Sequence, residues 1–311
     1  MFDERDFDAY APQKWRSNAF TRERLGVKQK LLELGRQLSG RMVAADGSPL
    51  LLEASAENPA LWNHHLVDAQ HVYFSRAQDA RKEIDVLIDR SRSIAALVDD
   101  PTPQRSHLFL AITVAHGGLT VALKLHPDAR IDRQNLERKC EDFFEREKLR
   151  ALVAALGDGV QIGRMPTDPT SKEAALQPAV GLSDEALSAV LAETAGGPGW
   201  LFLGLTLPRG DARLGDGLAP LLERTLGHLL DVYQFVAWHR DNDYVSIKDQ
   251  LQKEKQAKRQ KHLQRNDRVR IVRGVLAGKQ GVVQEIDAKG GAKVLVGKMV
   301  VKVAAEDLLR A

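Results

Sequence analysis

Histidine is the side chain best suited to proton transfer or metal binding near neutral pH, and this chain clusters it in two places. Asn63-His64-His65, with His71 close behind, could hold a metal ion or act as acid and base. His126-Pro127-Asp128 sets an imidazole beside a carboxylate, the makings of a general acid/base pair. Each cluster also has a plainer reading. No carboxylate completes a recognised ligand spacing around His64, His65 and His71, and that segment lies between turn signals. Pro127 turns the chain, and Asp132 stands where a helix cap is expected. Both clusters are therefore expected to be surface or packing histidines, and so are His107 and His116 at the ends of an apolar strand.

Other chemistry is missing from the pattern. Gly157-Asp158-Gly159 and Gly196-Gly197-Pro198-Gly199 lack the Lys-Ser/Thr of a phosphate-binding loop, and no serine sits in a nucleophile elbow. Cys140 is the single cysteine, which excludes an intrachain disulfide and a cysteine-based zinc site. No catalytic residue, metal or cofactor is expected. An enzyme in the N-terminal region remains the alternative from another class.

The remaining chemistry is charge. Residues 248–311 contain 16 Lys and Arg against 7 Asp and Glu, a balance of +9; with +3 overall, residues 1–247 carry −6. An acidic body joined to a basic end is a layout suited to binding a polyanion. The cations fall in two groups. Lys253, Lys255, Lys258, Arg259, Lys261 and Arg265 lie among helix formers between Ser246 and Arg265, where Ser246 could cap a helix of thin apolar content. That segment reads either as a solvated spacer or as a phosphate-tracking helix. Arg268, Arg270, Arg273, Lys279, Lys289 and Lys293 lie beyond it.

This second group needs a framework, and the pattern supplies one. Val269, Ile271, Val282 and Ile286 can share an apolar face, while Arg268, Arg270 and Gln284 alternate away from it. Gly274, Gly278 and Gly281 mark a constrained turn between the two strands. Lys289-Gly290-Gly291 and Gly297-Lys298 mark further turns around strands at 293–296 and 299–303. Four short strands suggest a small SH3-like β-barrel, in which closure removes exposed edges.

Strand, glycine turn and strand from Asp267 to about Asp307 resemble the KOW motif of NusG-type transcription elongation factors and several large-subunit ribosomal proteins. The resemblance implies contacts with RNA, or with ribosomal or RNA polymerase protein partners, in transcription or translation. The N-terminal region shows no polymerase-binding domain of the NusG type. Aromatic residues are absent from Ser246 onward, so recognition would rest on backbone charge rather than base stacking.

Residues 1–240 read as an acidic α+β domain, 241–266 as a basic helical linker and 267–311 as the barrel. Within the first, amphipathic periodicity predicts a helix over 21–42 with Leu25, Leu31, Leu32, Leu34, Leu38 and Met42 inward. Strands are expected near Leu50–Ala54 and His71–Phe74, and a hairpin is expected around Gly117-Gly118. One long helix is expected over 132–156, capped by Asp132, then a loose stretch over 164–181, a strand over 200–207 and a helix over 217–239. Glu4-Arg5-Asp6-Phe7-Asp8, Lys30-Leu31-Leu32-Glu33-Leu34-Gly35 and the segment from Leu221 to Tyr233 resemble an uncharacterised bacterial α+β family, which implies no activity. No apolar run approaches the ~20 residues of a membrane span, and Met1–Asp6 lacks the apolar core of a secretory signal, so the cytoplasm is the expected compartment.

Overall fold

The computed structural model describes residues 2–88, 105–166, 171, 174–196, 199–245, 264–274, 276–286, 291–304 and 307–310. They belong to two compact units, Met1–Val245 and Ser246–Ala311. The first extends past residue 240: Asn242 and Val245 are buried in it, and Asn242 bonds the carbonyls of Phe235 and Ala237.

Unit one is built on a seven-stranded antiparallel sheet. Its strands are β1 (Leu51–Ala54), β2 (Ala69–Ser75), β3 (Phe109–Ala115), β4 (Gly118–Leu125), β5 (Val160–Met165), β6 (Ala175–Pro178) and β7 (Trp200–Pro208), in the spatial order β1-β2-β3-β4-β7-β5-β6. Alternate residues of the central strands, such as Leu110, Ile112, Val121, Leu123, Leu203 and Leu205, join one core with the helices Thr21–Ser39, Phe143–Ala154, Asp184–Gly196 and Leu218–Val236. Period-two alternation puts these residues on a single face, which the helices cover.

Several expectations change here. The first long helix buries Val27, Leu31 and Leu38 but leaves Leu25 40% exposed, because Arg24 occupies the inward stripe. The Arg24 guanidinium is wholly buried and donates to the carbonyls of Lys14 (2.6 Å), Ser17 (3.3 Å) and Ala9 (3.4 Å). It ties the N-terminal segment to the helix through three backbone carbonyls, of which that of Lys14 also accepts the Ser17 N–H. The stretch read as loose, 164–181, holds the last two residues of β5 and all of the edge strand β6, which ends at Pro178.

The helix expected over 132–156 is two helices, Arg130–Lys139 and Phe143–Ala154. Asp142 starts the second by accepting the Glu145 N–H at 3.0 Å. Asp132 is no cap. It lies inside the first turn, 1% exposed, and takes both guanidinium nitrogens of Arg76 at 2.8 and 2.5 Å, together with the N–H groups of Leu108 and Trp238. Burial alone would raise its pKa, but Arg76 and these donors outweigh it and hold the carboxyl below the ordinary carboxylate value.

Unit two is a five-stranded antiparallel sheet of β8 (Arg268–Ile271), β9 (Gln280–Ile286), β10 (Gly291–Val296), β11 (Met299–Ala304) and β12 (Leu308–Arg310), in the order β11-β10-β9-β8-β12. The sequence reading lacked the fifth strand, which pairs with the first: Leu308 faces Ile271 and Arg310 faces Val269. The outer strands follow one another in the chain. Ala304 and Leu308 are four residues apart, a reach of about 14 Å, whereas the outer strands of a flat five-stranded sheet would lie about 19 Å apart. The sheet must therefore curl. Its core is Val269, Ile271, Val283, Ala292, Val294 and Leu308.

Val283 points inward instead of Val282, and Ile286 is 39% exposed, contrary to the expected face. Register accounts for Val283: Gly281 stands opposite Val269, so Val283, two residues on, shares its face. The β9–β10 ladder then skips Gln284, a bulge that sets Ile286 opposite the buried Ala292 at the end of the strand.

Candidate nucleic-acid interface

Alternation on β8 decides where its charges go. Val269 and Ile271 are fully enclosed, so Arg268 and Arg270 face outward and are exposed. The chain then enters a tight loop, where the Gly278 N–H donates to the Ile271 carbonyl at 2.7 Å and the Ile271 N–H donates to the Lys279 carbonyl at 2.9 Å. Gly274 and Gly278 have φ of +88° and +87°, angles that strain any side chain with a Cβ. Gly281 serves differently: it lies within β9, and a Cβ there would come within 2.5 Å of the Val294 side chain. The loop carries Arg273 and leads into Lys279, both exposed. Lys293 projects from β10, pairs with Glu285 at 2.6 Å and stands directly opposite Lys302 of β11.

Arg265, Arg268, Arg270, Arg273, Lys279 and Lys293 are thus solvent-facing, and among the described residues no ion pair engages Arg268, Arg270, Arg273 or Lys279. Lys253, Lys255, Lys258, Arg259, Lys261 and Lys289 lie outside the described residues. Lys298 and Lys302 are exposed cations that the sequence reading passed over. Alternation along 299–304 was the signal that could have found Lys302. Lys302 stands directly opposite Lys293, whose charge Glu285 answers at 2.6 Å.

The two histidine clusters are not brought together. His64 and His65 are exposed in a left-handed turn, with φ of 52° and 56°. His71 sits on β2 with Nδ1 2.9 Å from the Thr113 hydroxyl, and burial pushes its pKa down to about 3. Its ring stacks on Tyr73 at 5.4 Å, Tyr73 meets Phe109 edge-on at 5.3 Å, Phe109 meets Trp200 at 5.8 Å, and Trp200 meets His126 at 4.4 Å. His71 and His126 therefore end one row of rings across the sheet. The structure does bring His126 and Asp128 together: His126 Nδ1 lies 3.5 Å from the Asp128 carboxylate and accepts the Asp128 N–H at 3.0 Å, while Arg105 pairs with the same carboxylate at 3.0 Å. Among the described residues, no three His, Cys, Asp or Glu side chains are placed to share a metal ion.

No protein-family model matches this chain, and no curated protein matches it. Among the described residues, no helix is long and apolar enough to cross a membrane.

Proposed function

We propose that the C-terminal unit is an RNA-binding module of the KOW type that contacts the phosphate backbone. The observation that carries this reading is the outward set Arg268, Arg270, Arg273 and Lys279, which no ion pair engages among the described residues, on a region whose sequence balance is +9. Phosphate contacts supply most sequence-independent affinity, and guanidinium groups suit phosphate in particular. The strand order, with the last strand beside the first, together with the enforced curl, supports an SH3-like barrel as the framework. Transcription or translation machinery is the setting that the KOW resemblance suggests. With no aromatic residue after Ser246, selectivity among sequences is low.

Replacing both arginines in the whole chain, Arg268→Glu with Arg270→Glu, is expected to abolish retention of single-stranded RNA in filter binding while leaving the thermal melt unchanged. If about four to six phosphates are neutralised, log affinity falls with log salt at a slope of roughly −3 to −4. A flat salt response, or full binding by the double variant, would sink the proposal.

A second reading, a protein partner such as a ribosomal or RNA polymerase subunit, draws on Met299 and Val300, which are 62% and 52% exposed. Ribonuclease treatment separates the two: association that survives digestion and is lost on Val300→Lys favours protein.

A further inference from the structure

The sheet of unit one has a second face. The alternation that sends Leu123, Leu125, Leu201 and Leu203 into the helical core sends Lys124, Trp200 and Phe202 the other way, together with Phe109 on β3. Lys124 is the cation in this group. Its direct neighbours in register are Phe109 and Phe202 of β7, which are 2% and 1% exposed. Trp200 is its diagonal neighbour on β7, at a spacing of about 7–8 Å that long side chains bridge.

An ammonium set among three aromatic residues loses much of its water, and a protein normally answers that loss with a hydrogen-bonded carboxylate. Lys124 lacks one: among the described residues, no hydrogen bond or ion pair engages it. It is not sealed in either. The residue is only partly buried, and its nitrogen is not among the enclosed polar atoms without partners.

Two titratable groups act on Lys124 from the β2 side, while Phe109 and Phe202 bring no charge. Asp68, just before β2, favours the ammonium electrostatically without pairing with it. His71 is uncharged at neutral pH, because burial holds its pKa at about 3. Burial outweighs Asp68 and lowers the Lys124 pKa below the ordinary lysine value. More of Lys124 is therefore present as neutral amine, the form that attacks a carbonyl carbon, than of a lysine on the open surface.

We propose that Lys124 is a nucleophilic lysine that captures a small aromatic aldehyde as an imine, with the aldehyde's ring against Trp200. The nitrogen lone pair forms the C–N bond as the π pair of the C=O moves to oxygen. Both protons of the amine end on that oxygen, which departs as water, so the step needs no oxidant or reductant. The aryl ring extends the edge-to-face row in which Tyr73 meets Phe109 at 5.3 Å and Phe109 meets Trp200 at 5.8 Å.

The test treats the whole chain with benzaldehyde and sodium cyanoborohydride, which reduces each imine to a stable secondary amine. Mass spectrometry of peptides then follows each lysine separately. At neutral pH, Lys124 should be labelled about ten-fold faster than the exposed Lys298. With propionaldehyde, which has no ring, that ratio should fall about five-fold, the scale of one aromatic contact. Labelling of Lys124 should also set in at lower pH than that of Lys298. Asp68→Asn should move the Lys124 profile lower still, because it removes the charge that favours the ammonium. Labelling of Lys124 no faster than of Lys298 would overturn the proposal. So would equal ratios for the two aldehydes, or a Lys124 pH profile indifferent to Asp68→Asn.

Discussion

The two units use the same charged side chains in opposite ways. In unit one the most buried cations are taken up by the fold. Arg24 caps three carbonyls, Arg76 is locked to Asp132, Arg81 pairs with Glu53, and Lys139 reaches Asn242 and the Phe235 carbonyl. In unit two the core is, among the described residues, six apolar side chains, and Arg268, Arg270, Arg273 and Lys279 face away from it. A buried charge must be answered by the protein itself, whereas an exposed one is left to water, salt or a partner. Net charge therefore locates the interface less well than burial does: the first region has no lack of arginines, but its three most buried ones, Arg24, Arg76 and Arg81, are spoken for.

The largest break in this comparison should come from Asp132→Asn. It leaves the Arg76 guanidinium buried without a counter-charge, and removing one partner of a buried pair typically costs about 3–5 kcal/mol. Urea unfolding should show unit one collapsing while RNA retention by unit two persists. Replacing both partners, Arg76→Met with Asp132→Leu, should recover part of the loss, since the unmatched charge is gone. If Asp132→Asn unfolds like the wild type, the pair is not the lock that its geometry implies.

Next in size is Gly278→Val, the corresponding break in unit two. Space is not the obstacle, because nothing lies within 4 Å of where a Cβ would be. The cost is backbone strain at φ +87°, about 1–3 kcal/mol for a residue held in such a region. A core of six residues has little stability in reserve, so the cooperative melt of unit two should disappear by circular dichroism while unit one melts unchanged. An unaltered melt would mean that the loop does not need that angle.

Why Gly278 was legible in the sequence and Asp132 was not follows from the range of each cause. A glycine among turn residues announces a local backbone need, and β8 announces its outward arginines by strict alternation. Asp132 looked like a cap because a polar residue near a helix start usually is one. Its true partner, Arg76, is 56 residues away, and no local pattern carries that pairing. Arg24 misled for a related reason: periodicity counts apolar residues, and this inward position is held by a charge that satisfies distant carbonyls. The hairpin β3–β4 was plain because Gly117-Gly118 joins two apolar runs. Strands β5 and β6 were hidden because Gly163 and Pro178 mimic loop punctuation, although a Cβ at Gly163 would lie 1.9 Å from the Ala175 carbonyl oxygen. The strand Leu308–Arg310 is too short to show any period. At the interface, Arg268, Arg270 and Arg273 were legible, while Lys302 stands out only once its register opposite Lys293 is known.

Acid sharpens the contrast further. His71 has its pKa pushed from 6.5 to about 3 by burial, with Lys124 adding to the effect. The folded state therefore binds its proton less readily than the unfolded chain. The corresponding stability is complete above pH 6.5 and is lost as pH falls toward 3, at up to about 1.4 kcal/mol per pH unit. Asp132, also depressed, adds its own loss only below the ordinary carboxylate value of 3.8. Urea midpoints for unit one should already drop between pH 7 and pH 5, and His71→Gln should flatten that drop. If wild type and His71→Gln change in parallel, the imidazole is not the group responsible.

The smallest effect on folding should come from Lys279→Ala, and it tests the comparison from the other side. Lys279 is exposed, has no ion-pair partner among the described residues, and sits one residue past the strained glycine. Surface changes of this kind usually stay within about 0.5 kcal/mol, so the melt of unit two should not move. RNA affinity should fall, and the slope of log affinity against log salt should become shallower by roughly 0.7, the contribution of one phosphate contact to a single strand. Asp132→Asn should do the reverse, moving the melt of unit one and leaving the salt slope alone. The two variants form a crossed pair in which each touches only one unit's use of charge. A lowered melt with an unchanged salt slope in Lys279→Ala would make that lysine part of the fold and remove it from the interface.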